Sequence, residues 1–238
     1  MVHHDTNRKV NMFTIAILNQ KGGSGKSTVA ECLAVAAYLD GQASAILDLD
    51  PQGTAYSWGK RREDANPPVI SVTLANLNDE WERLKEAGAD IVFIDTPARL
   101  DNWAREAAEI SDIVLIPAKP TIKDIERVEA SIKLACIPEP RPTFVVLNQV
   151  RQQGDRNAQA EKVIKEKRYP VCPARFGFRV AFEDSDTLGQ TPQETEPKGK
   201  AAGEIQLVYQ YTKKLLNQLT NKKVNRDDKK KGSGRRAA

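Results

Sequence analysis

The sequence predicts an α/β fold, a single domain with a mostly parallel sheet and helices on both faces. Apolar runs of four to six residues alternate with helical patterns along most of the chain. A glycine-rich turn joins the first apolar run to the first helical segment, and acidic or amide side chains end several of the later runs. Short strands that are apolar on both faces and separated by helices are typical of a buried parallel sheet.

Six apolar runs predict strands, and a weaker run surrounds Val171. The predicted strands are Phe13–Leu18, Ser44–Leu49, Val69–Val72, Ile91–Ile94, Ile113–Ile116 and Thr143–Leu147. Apolar residues at helical spacing predict helices between them. These are Ser27–Leu39, Asp79–Ala87, Asn102–Ile110, Ile122–Ala135 and Asn157–Lys167. A last helix from Lys200 to Leu219 places its apolar residues on one face, which predicts that it packs against the core.

The composition favours a cytoplasmic protein. A length of 238 residues fits one large α/β domain. Cys32, Cys136 and Cys172 are far apart and lack the spacing of metal ligands, as expected for a reducing compartment. The first residues lack the apolar stretch of a signal peptide, and no apolar run is long enough for a membrane span.

The positive charge of the chain is concentrated at its C-terminus. Residues 221–238 contain eight basic and two acidic side chains, a net +6, so the other 220 residues carry −2 of the formal +4. A segment with so few apolar residues cannot support a packed structure. We therefore expect a flexible extension at 1–11, a folded domain at 12–220 and a disordered basic tail at 221–238. The tail either solubilises the protein or contacts nucleic-acid phosphates.

The glycine-rich turn predicts a phosphate site. It reads Lys21-Gly22-Gly23-Ser24-Gly25-Lys26-Ser27-Thr28 and lies between a strand and the start of a helix. Without Cβ atoms, the backbone N–H groups of such a turn can surround an anion, and the helix dipole adds a favourable potential. Lys26 is expected to reach the β- and γ-phosphates, and the Ser27 hydroxyl to bind Mg²⁺.

The turn departs from the ordinary P-loop pattern. That pattern requires glycine at position 20, where this chain has Gln20, and the chain carries a second lysine, Lys21, instead. The arrangement resembles the deviant Walker A motif of the ParA/MinD family of ATPases. The resemblance implies a P-loop NTPase domain that uses ATP and Mg²⁺, and it extends from Ile15 to about Leu219.

Polar residues at the strand ends predict the rest of the site. Asp48 and Asp50 end the second strand, Asp95 the fourth and Asn148 the sixth. Ligands of parallel sheets bind beyond the carboxyl ends of the strands, so these side chains are expected to converge on the glycine-rich turn. Alternation along an extended segment places Asp48 and Asp50 on the same side. The two carboxylates could also form a metal cage alone.

The family resemblance assigns roles to these residues. Asp95 resembles a Walker B aspartate that holds Mg²⁺ together with Ser27. Asp50, also assigned to the metal site, would orient the attacking water, with Asp48 in support. Asn148 matches the position that binds the adenine edge. Lys21, which has no obvious task within one subunit, would cross a dimer interface and contact the partner's ATP.

The branch of the family is suggested by what the sequence lacks. The cysteines do not match those of nitrogenase-type reductases or iron–sulfur scaffold ATPases, and the hydrophilic C-terminus has no amphipathic segment like that of MinD. The twelve residues before the first predicted strand are too few for an N-terminal helix-turn-helix domain, so none is expected. The sequence is therefore expected to be a short ParA-type partition ATPase.

The resemblance to short ParA proteins also implies partners. These are a second copy of the chain bound through ATP, DNA bound without sequence preference, and a ParB-type or cargo-adaptor protein that stimulates slow hydrolysis. Such a protein would be associated with the nucleoid, have no membrane partner and segregate plasmids, chromosomes or other cargo. Basic side chains supply contacts of this kind to DNA. The candidates are Arg179, Lys198, Lys200, Lys213 and Lys214.

Two other functions fit the same fold. A membrane-surface positioning ATPase of MinD type would need a C-terminal amphipathic helix. A small-molecule ligase of dethiobiotin-synthetase type would need neither Lys21 nor a basic tail.

Overall fold

The fold is described from a computed structural model covering residues 12–98, 101–136, 139–151 and 156–234. For residues 156–157 and 222–234 only the backbone is described, and the predicted extension at 1–11 lies outside the described residues. The strands are β1 (Phe13–Ile17), β2 (Ser44–Asp48), β3 (Val69–Ser71), β4 (Ile91–Asp95), β5 (Ile113–Ala118) and β6 (Thr143–Leu147). The helices are α1 (Lys26–Leu39), α2 (Thr54–Arg61), α3 (Leu77–Glu86), α4 (Asp101–Glu109), α5 (Ile122–Ala135), α6 (Arg156–Glu166), α7 (Val180–Thr187), α8 (Pro192–Thr195) and α9 (Lys200–Gly234).

The six strands form one parallel sheet in the order β3-β2-β4-β1-β5-β6. Alternate strand residues enter two apolar cores on opposite faces. In β4, Ile91 and Phe93 join the core that contains residues of α1, α2 and α9, whereas Val92 and Ile94 join the core that contains residues of α3 to α6. The predicted α/β class with helices on both faces is confirmed.

The strand register brings the polar strand ends to one level. Asp48 of β2 lies opposite Asp95 of β4, and Asp95 also lies opposite Ile17, the last residue of β1. On the other side of β1, Ala118 of β5 lies opposite Leu147 of β6. The glycine-rich turn and the polar residues that follow these strands therefore share the carboxyl edge of the sheet.

The weak run near Val171 does not form a strand among the described residues. Val171 makes a single parallel bridge with Val145, supported by hydrogen bonds from Val145 N to Pro170 O and from Cys172 N to Val145 O. Pro170 has no N–H to donate, and the next hydrogen bond to β6 comes from Phe176 N to Leu147 O, out of register with this bridge, so no regular ladder forms. The apolar pattern of the sequence did not predict α2, α7 and α8, which have eight, eight and four residues.

The last helix is longer than predicted. Its backbone continues past the expected end at Leu219 as far as Gly234. No glycine or proline stands between Leu219 and Lys231, and adding residues to an established helix is far easier than starting one. Leu219 is the last described side chain that packs on the core. The helical backbone at 221–234 differs from the expected disordered tail, while the domain boundary at 220 stays a prediction.

Candidate nucleotide site

The glycine-rich turn contains two glycines in left-handed backbone conformations. Gly23 has φ +71° and Gly25 has φ +89°, a region that side-chain-bearing residues rarely adopt. Gly25 is the N-cap of α1. A Cβ at Gly25 would stand 2.1 Å from Nδ2 of Asn148, so glycine is required there by both backbone and space. The turn thus presents backbone N–H groups at the positive end of α1, where an anion is favoured.

Asn148 directly follows β6, and its side chain forms a hydrogen bond to the glycine-rich turn. Its Nδ2 donates to the Ser24 carbonyl over 2.8 Å, and its Oδ1 accepts from Gln149 N over 2.8 Å. Its backbone N–H donates to Ala118 O, which ties the residue to β5. Asn148 therefore holds the turn in place, and its expected contact with adenine stays a prediction.

Lys26 and Asp95 are buried together behind the turn. Lys26 is 7% exposed, and burial lowers the pKa of its ammonium, an effect that the carboxylates of Asp95 and Asp50 oppose. Asp95 is fully buried, and neither of its side-chain oxygens makes a regular hydrogen bond. Burial raises the pKa of Asp95 to about 7, while Ser27 and Lys26 act in the opposite direction. A buried carboxylate whose oxygens lack regular hydrogen bonds is stabilised by a nearby cation.

The residues around Asp95 fit Mg²⁺ bound together with a nucleotide. Among the described residues, no three histidine, cysteine or acidic side chains form a closed metal cage. Mg²⁺ in phosphate sites is usually held by one or two protein oxygens, phosphate oxygens and water. Ser27 and Asp95 would supply the protein oxygens here, and the bound ion would neutralise charge on the phosphates.

Asp48 organises the segment that carries Asp50. Asp48 is fully buried; its Oδ1 accepts from Asp50 N over 3.0 Å and its Oδ2 from Tyr56 N over 2.8 Å. Burial raises the pKa of Asp48, and these backbone hydrogen bonds oppose that shift. Both oxygens thus accept hydrogen bonds that fix the loop before α2, and the predicted supporting role of Asp48 remains a prediction.

Asp50 is only partly buried and follows the end of β2. Its Oδ1 accepts from Gln52 N over 3.0 Å, and its carbonyl accepts from Gly53 N over 2.8 Å. These bonds form a tight turn that holds the Asp50 carboxylate at the carboxyl edge of the sheet. Its predicted parts in water orientation and metal binding remain predictions.

Lys21 has a partner within its own subunit, contrary to the expectation that it has no task there. Its Nζ lies 2.5 Å from Oδ2 of Asp124, a fully buried residue in the first turn of α5. The Thr121 hydroxyl donates to the same oxygen. Asp124 Oδ1 is buried without a hydrogen bond. The backbone N–H of Lys21 donates to Asn19 Oδ1, so both ends of this lysine are held.

Sequence reasoning missed Asp124. Thr121 and Asp124 have the spacing of a helix N-terminal capping pair, and Thr121 is indeed the N-cap of α5. That local pattern predicts a helix start, but it does not show that the same carboxylate meets a lysine 103 positions away.

The basic DNA-binding candidates fall into two groups. Arg179 is paired with Glu204, with Nη2 to Oε1 at 2.5 Å and Nε to Oε2 at 2.9 Å, and Lys213 is paired with Asp40 at 2.5 Å. Lys198, Lys200 and Lys214 are exposed and form no ion pair with another described residue. The second group is therefore better placed to bind an external phosphate.

The family follows from a comparison with known proteins. Residues 15–191 match the sequence profile of the CobQ/CobB/MinD/ParA nucleotide binding domain. The chain belongs to this family. It contains the nucleotide-binding domain of this family, whose MinD/ParA-type members are ATPases that use ATP and Mg²⁺.

Two relatives carry the name maintenance of carboxysome distribution protein A. The chain is 28% identical to the protein from Gloeobacter kilaueensis over 208 residues, which is 82% of this chain and 89% of the relative. It is 33% identical to the protein from Halothiobacillus neapolitanus over 93 residues, 37% of this chain and 41% of the relative. The second match thus spans less than half of that relative.

Solved structures share the fold. A Cyanothece McdA variant in complex with ATP superposes with a TM-score of 0.68 at 16% identity, covering 87% of this chain and 96% of that one. MinD from Pyrococcus horikoshii with Mg-ADP gives a TM-score of 0.65 at 19% identity, covering 86% and 97%. At these identities the structures support the fold alone. In the described part of this chain, none of the helices has the length and apolar character to cross a membrane.

Proposed function

We propose that this protein is a ParA-type positioning ATPase whose ATP-bound dimer binds DNA without sequence preference. The observation that carries the proposal is Lys21, a second lysine at the mouth of the phosphate turn with a partly exposed side chain (35%). Slow hydrolysis, stimulated by a ParB-type or adaptor protein, would return the dimer to monomers. The nucleotide thus switches the protein between two association states.

The ion pair of Lys21 gives the switch a physical basis. In the single subunit, the ammonium of Lys21 is neutralised by Asp124. To reach the ATP of a partner subunit, Lys21 must leave this carboxylate, and the phosphates of ATP offer it a stronger negative charge. Dimerisation would then exchange an intrasubunit ion pair for an intersubunit contact.

Sedimentation of three variants tests the dimer. Lys26→Ala is expected to lose ATP binding, because the buried ammonium is the one that faces the phosphates. Lys21→Ala is expected to bind ATP but remain monomeric. Asp50→Ala is expected to bind ATP and dimerise, yet release phosphate slowly. If Lys21→Ala forms dimers as readily as the wild type with MgATP, the cross-subunit role is wrong.

The DNA surface is proposed to use the unpaired lysines rather than the paired ones. Contacts from Lys198, Lys200 and Lys214 to phosphates would give affinity without base readout. Replacing all three with glutamine should weaken DNA binding in the ATP state and reduce its salt dependence. The matched control replaces Lys60, Lys85 and Lys133, three exposed lysines that contact rings or acidic side chains of their own helices. Equal effects of the two triple variants would refute this surface.

The names of the relatives favour a carboxysome as the cargo. Two relatives are described as carboxysome distribution proteins, and one covers most of this chain. Plasmids and chromosomes remain alternative cargoes for the same nucleoid-associated ATPase. Fluorescent labelling of each cargo in the host, with and without the Asp50→Ala variant, distinguishes them. The true cargo should lose its regular spacing in the variant, while the others keep theirs.

A further inference from the structure

A third lysine lies beside the phosphate turn. Lys119 directly follows β5, which is the neighbour of β1 in the sheet, so it stands at the same carboxyl edge as the turn. Its carbonyl accepts a 2.7 Å hydrogen bond from Thr121 N. This bond fixes the short connection between β5 and α5, from which the side chain of Lys119 extends.

The ammonium of Lys119 is directed over Gly23. Its Nζ lies 4.0 Å from the point where a Cβ on Gly23 would stand. Gly23 has φ +71° and belongs to the part of the turn that curls around the phosphates. The cation therefore lies at the rim of the anion cradle.

Lys119 differs in its charge environment from the two motif lysines. Lys21 is neutralised by Asp124, and Lys26 is buried close to Asp95 and Asp50. Lys119 is partly buried, and none of the acidic side chains in the described part of the chain forms an ion pair with it. An ammonium that has no ion pair with a described residue and lies next to a glycine-rich anion cradle favours an anionic ligand.

We propose that Lys119 binds the phosphate oxygens of the nucleotide within its own subunit, as a third cation beside Lys26 and the turn. The inference rests on nucleotide binding by this family and is independent of DNA binding and dimerisation. It predicts that Lys119 contributes to the affinity for ADP as well as ATP, because the contact needs no second subunit.

Calorimetric titration of the full chain with MgADP tests this role. Lys119→Met keeps the length of the aliphatic stem and removes the charge. We expect MgADP to bind roughly tenfold more weakly, with a flatter dependence of the Kd on salt, as is typical for losing one charge-assisted contact. Lys119→Arg should keep most of the affinity. The matched control is Lys123→Met, an exposed lysine four positions away without an ion pair to a described residue.

The outcomes separate this inference from the proposed function. An unchanged MgADP affinity in folded Lys119→Met, verified by circular dichroism, overturns the role of Lys119. An equal loss of MgADP affinity in Lys123→Met overturns it too, because the effect would then come from the lower net charge of the protein and not from a contact of Lys119. Should Lys119→Met not fold, Lys119→Gln replaces it in the same titration. Failure of the wild type to bind DNA with ATP would refute the proposed function and leave the MgADP result unaffected.

Discussion

At the scale of single residues, Gly25 meets two independent requirements. Its φ of +89° is strained for any residue with a Cβ, and Asn148 occupies the space that a Cβ would need. We expect Gly25→Ala to lower the free energy of unfolding by about 2 kcal/mol or more, since each effect alone costs on the order of 1 kcal/mol. Thermal denaturation measures it.

The matched control for Gly25 lies in the same turn. Gly22 has no atom within 4 Å of its Cβ position and no positive φ. Gly22→Ala should therefore leave the melting temperature close to that of the wild type. A Gly25→Ala protein as stable as Gly22→Ala would show that Asn148 does not hold the turn as described.

Glu31 is a buried acid of α1 that the nucleotide site does not use. Its Oε1 has no hydrogen bond, and burial raises its pKa well above the usual value. The charged groups that act on it are Asp186 of α7, Asp95 of β4, Arg61 of α2 and Asp48 of β2; the three acidic groups raise the pKa and Arg61 lowers it. The folded protein therefore favours the protonated form of this side chain.

The pKa of Glu31 makes stability depend on pH. Because the folded pKa is raised, the stabilising contribution is complete below the unfolded pKa and is lost as pH rises through the folded value. Glu31→Gln removes this titration. As pH rises above the ordinary range of a glutamate pKa, the variant should therefore lose less unfolding free energy than the wild type.

Denaturant unfolding at several pH values measures this difference. Glu86→Gln, a change at an exposed acid near the end of α3, serves as the control and should follow the wild type. Parallel pH profiles for Glu31→Gln and the wild type would show that Glu31 is not held in its protonated form.

At the scale of secondary-structure elements, the ion pair between Lys21 and Asp124 links α5 to the glycine-rich turn. Without the carboxylate of Asp124, Lys21 can contact a partner subunit without first breaking an ion pair. We expect Asp124→Asn to lower the Kd of the MgATP-dependent dimer severalfold, because the wild type must break a partly buried ion pair to dimerise and the variant need not. Analytical ultracentrifugation at a series of protein concentrations measures the dimer Kd.

A neighbouring acid on α5 controls for this change. Glu126 is exposed and forms no ion pair with a described residue, so Glu126→Gln should leave the dimer Kd unchanged. A dimer of Asp124→Asn that is no tighter than that of Glu126→Gln would contradict the proposed exchange of partners for Lys21.

The basic tail is an extension of α9 beyond its packed part. Because Leu219 is the last described side chain on the core, deletion of residues 221–238 should leave the melting temperature unchanged. If the tail binds phosphates, the deletion should also flatten the slope of log Kd for DNA against log salt concentration. A tail with its basic residues replaced by glutamine separates charge from length. An unchanged slope in both variants would make the tail a solubilising extension.

The elements differ in how well the sequence predicts them. Helix α5 was predicted with its observed bounds, because it is long and strongly periodic. Helices α2, α7 and α8 have at most eight residues, too few for a periodic signal. The contacts of Lys21 and Lys119 were not predictable either, since they join segments about a hundred positions apart that only the sheet order brings together.

At the scale of the whole molecule, the sequence predicts where the candidate site lies, at the carboxyl edge of the sheet. It predicts less well which residues contact one another there. The parallel sheet aligns the ends of β1, β2, β4 and β6, and every predicted motif residue at these ends lies there. These residues differ in their hydrogen bonds. Asp48 and Asn148 each fix a loop through the backbone, whereas Asp95 has free oxygens for an ion.

The proposed function requires that ATP controls DNA binding by this protein. Its most direct test is the affinity of the full chain for a nonspecific duplex, measured without nucleotide, with ADP and with ATP, at two salt concentrations. Strong binding is expected only with ATP, and it should be weaker at the higher salt concentration. Equal binding in all three states would attribute the affinity to the basic tail alone and contradict the nucleotide switch. An absence of binding in every state would exclude the DNA-bound dimer altogether.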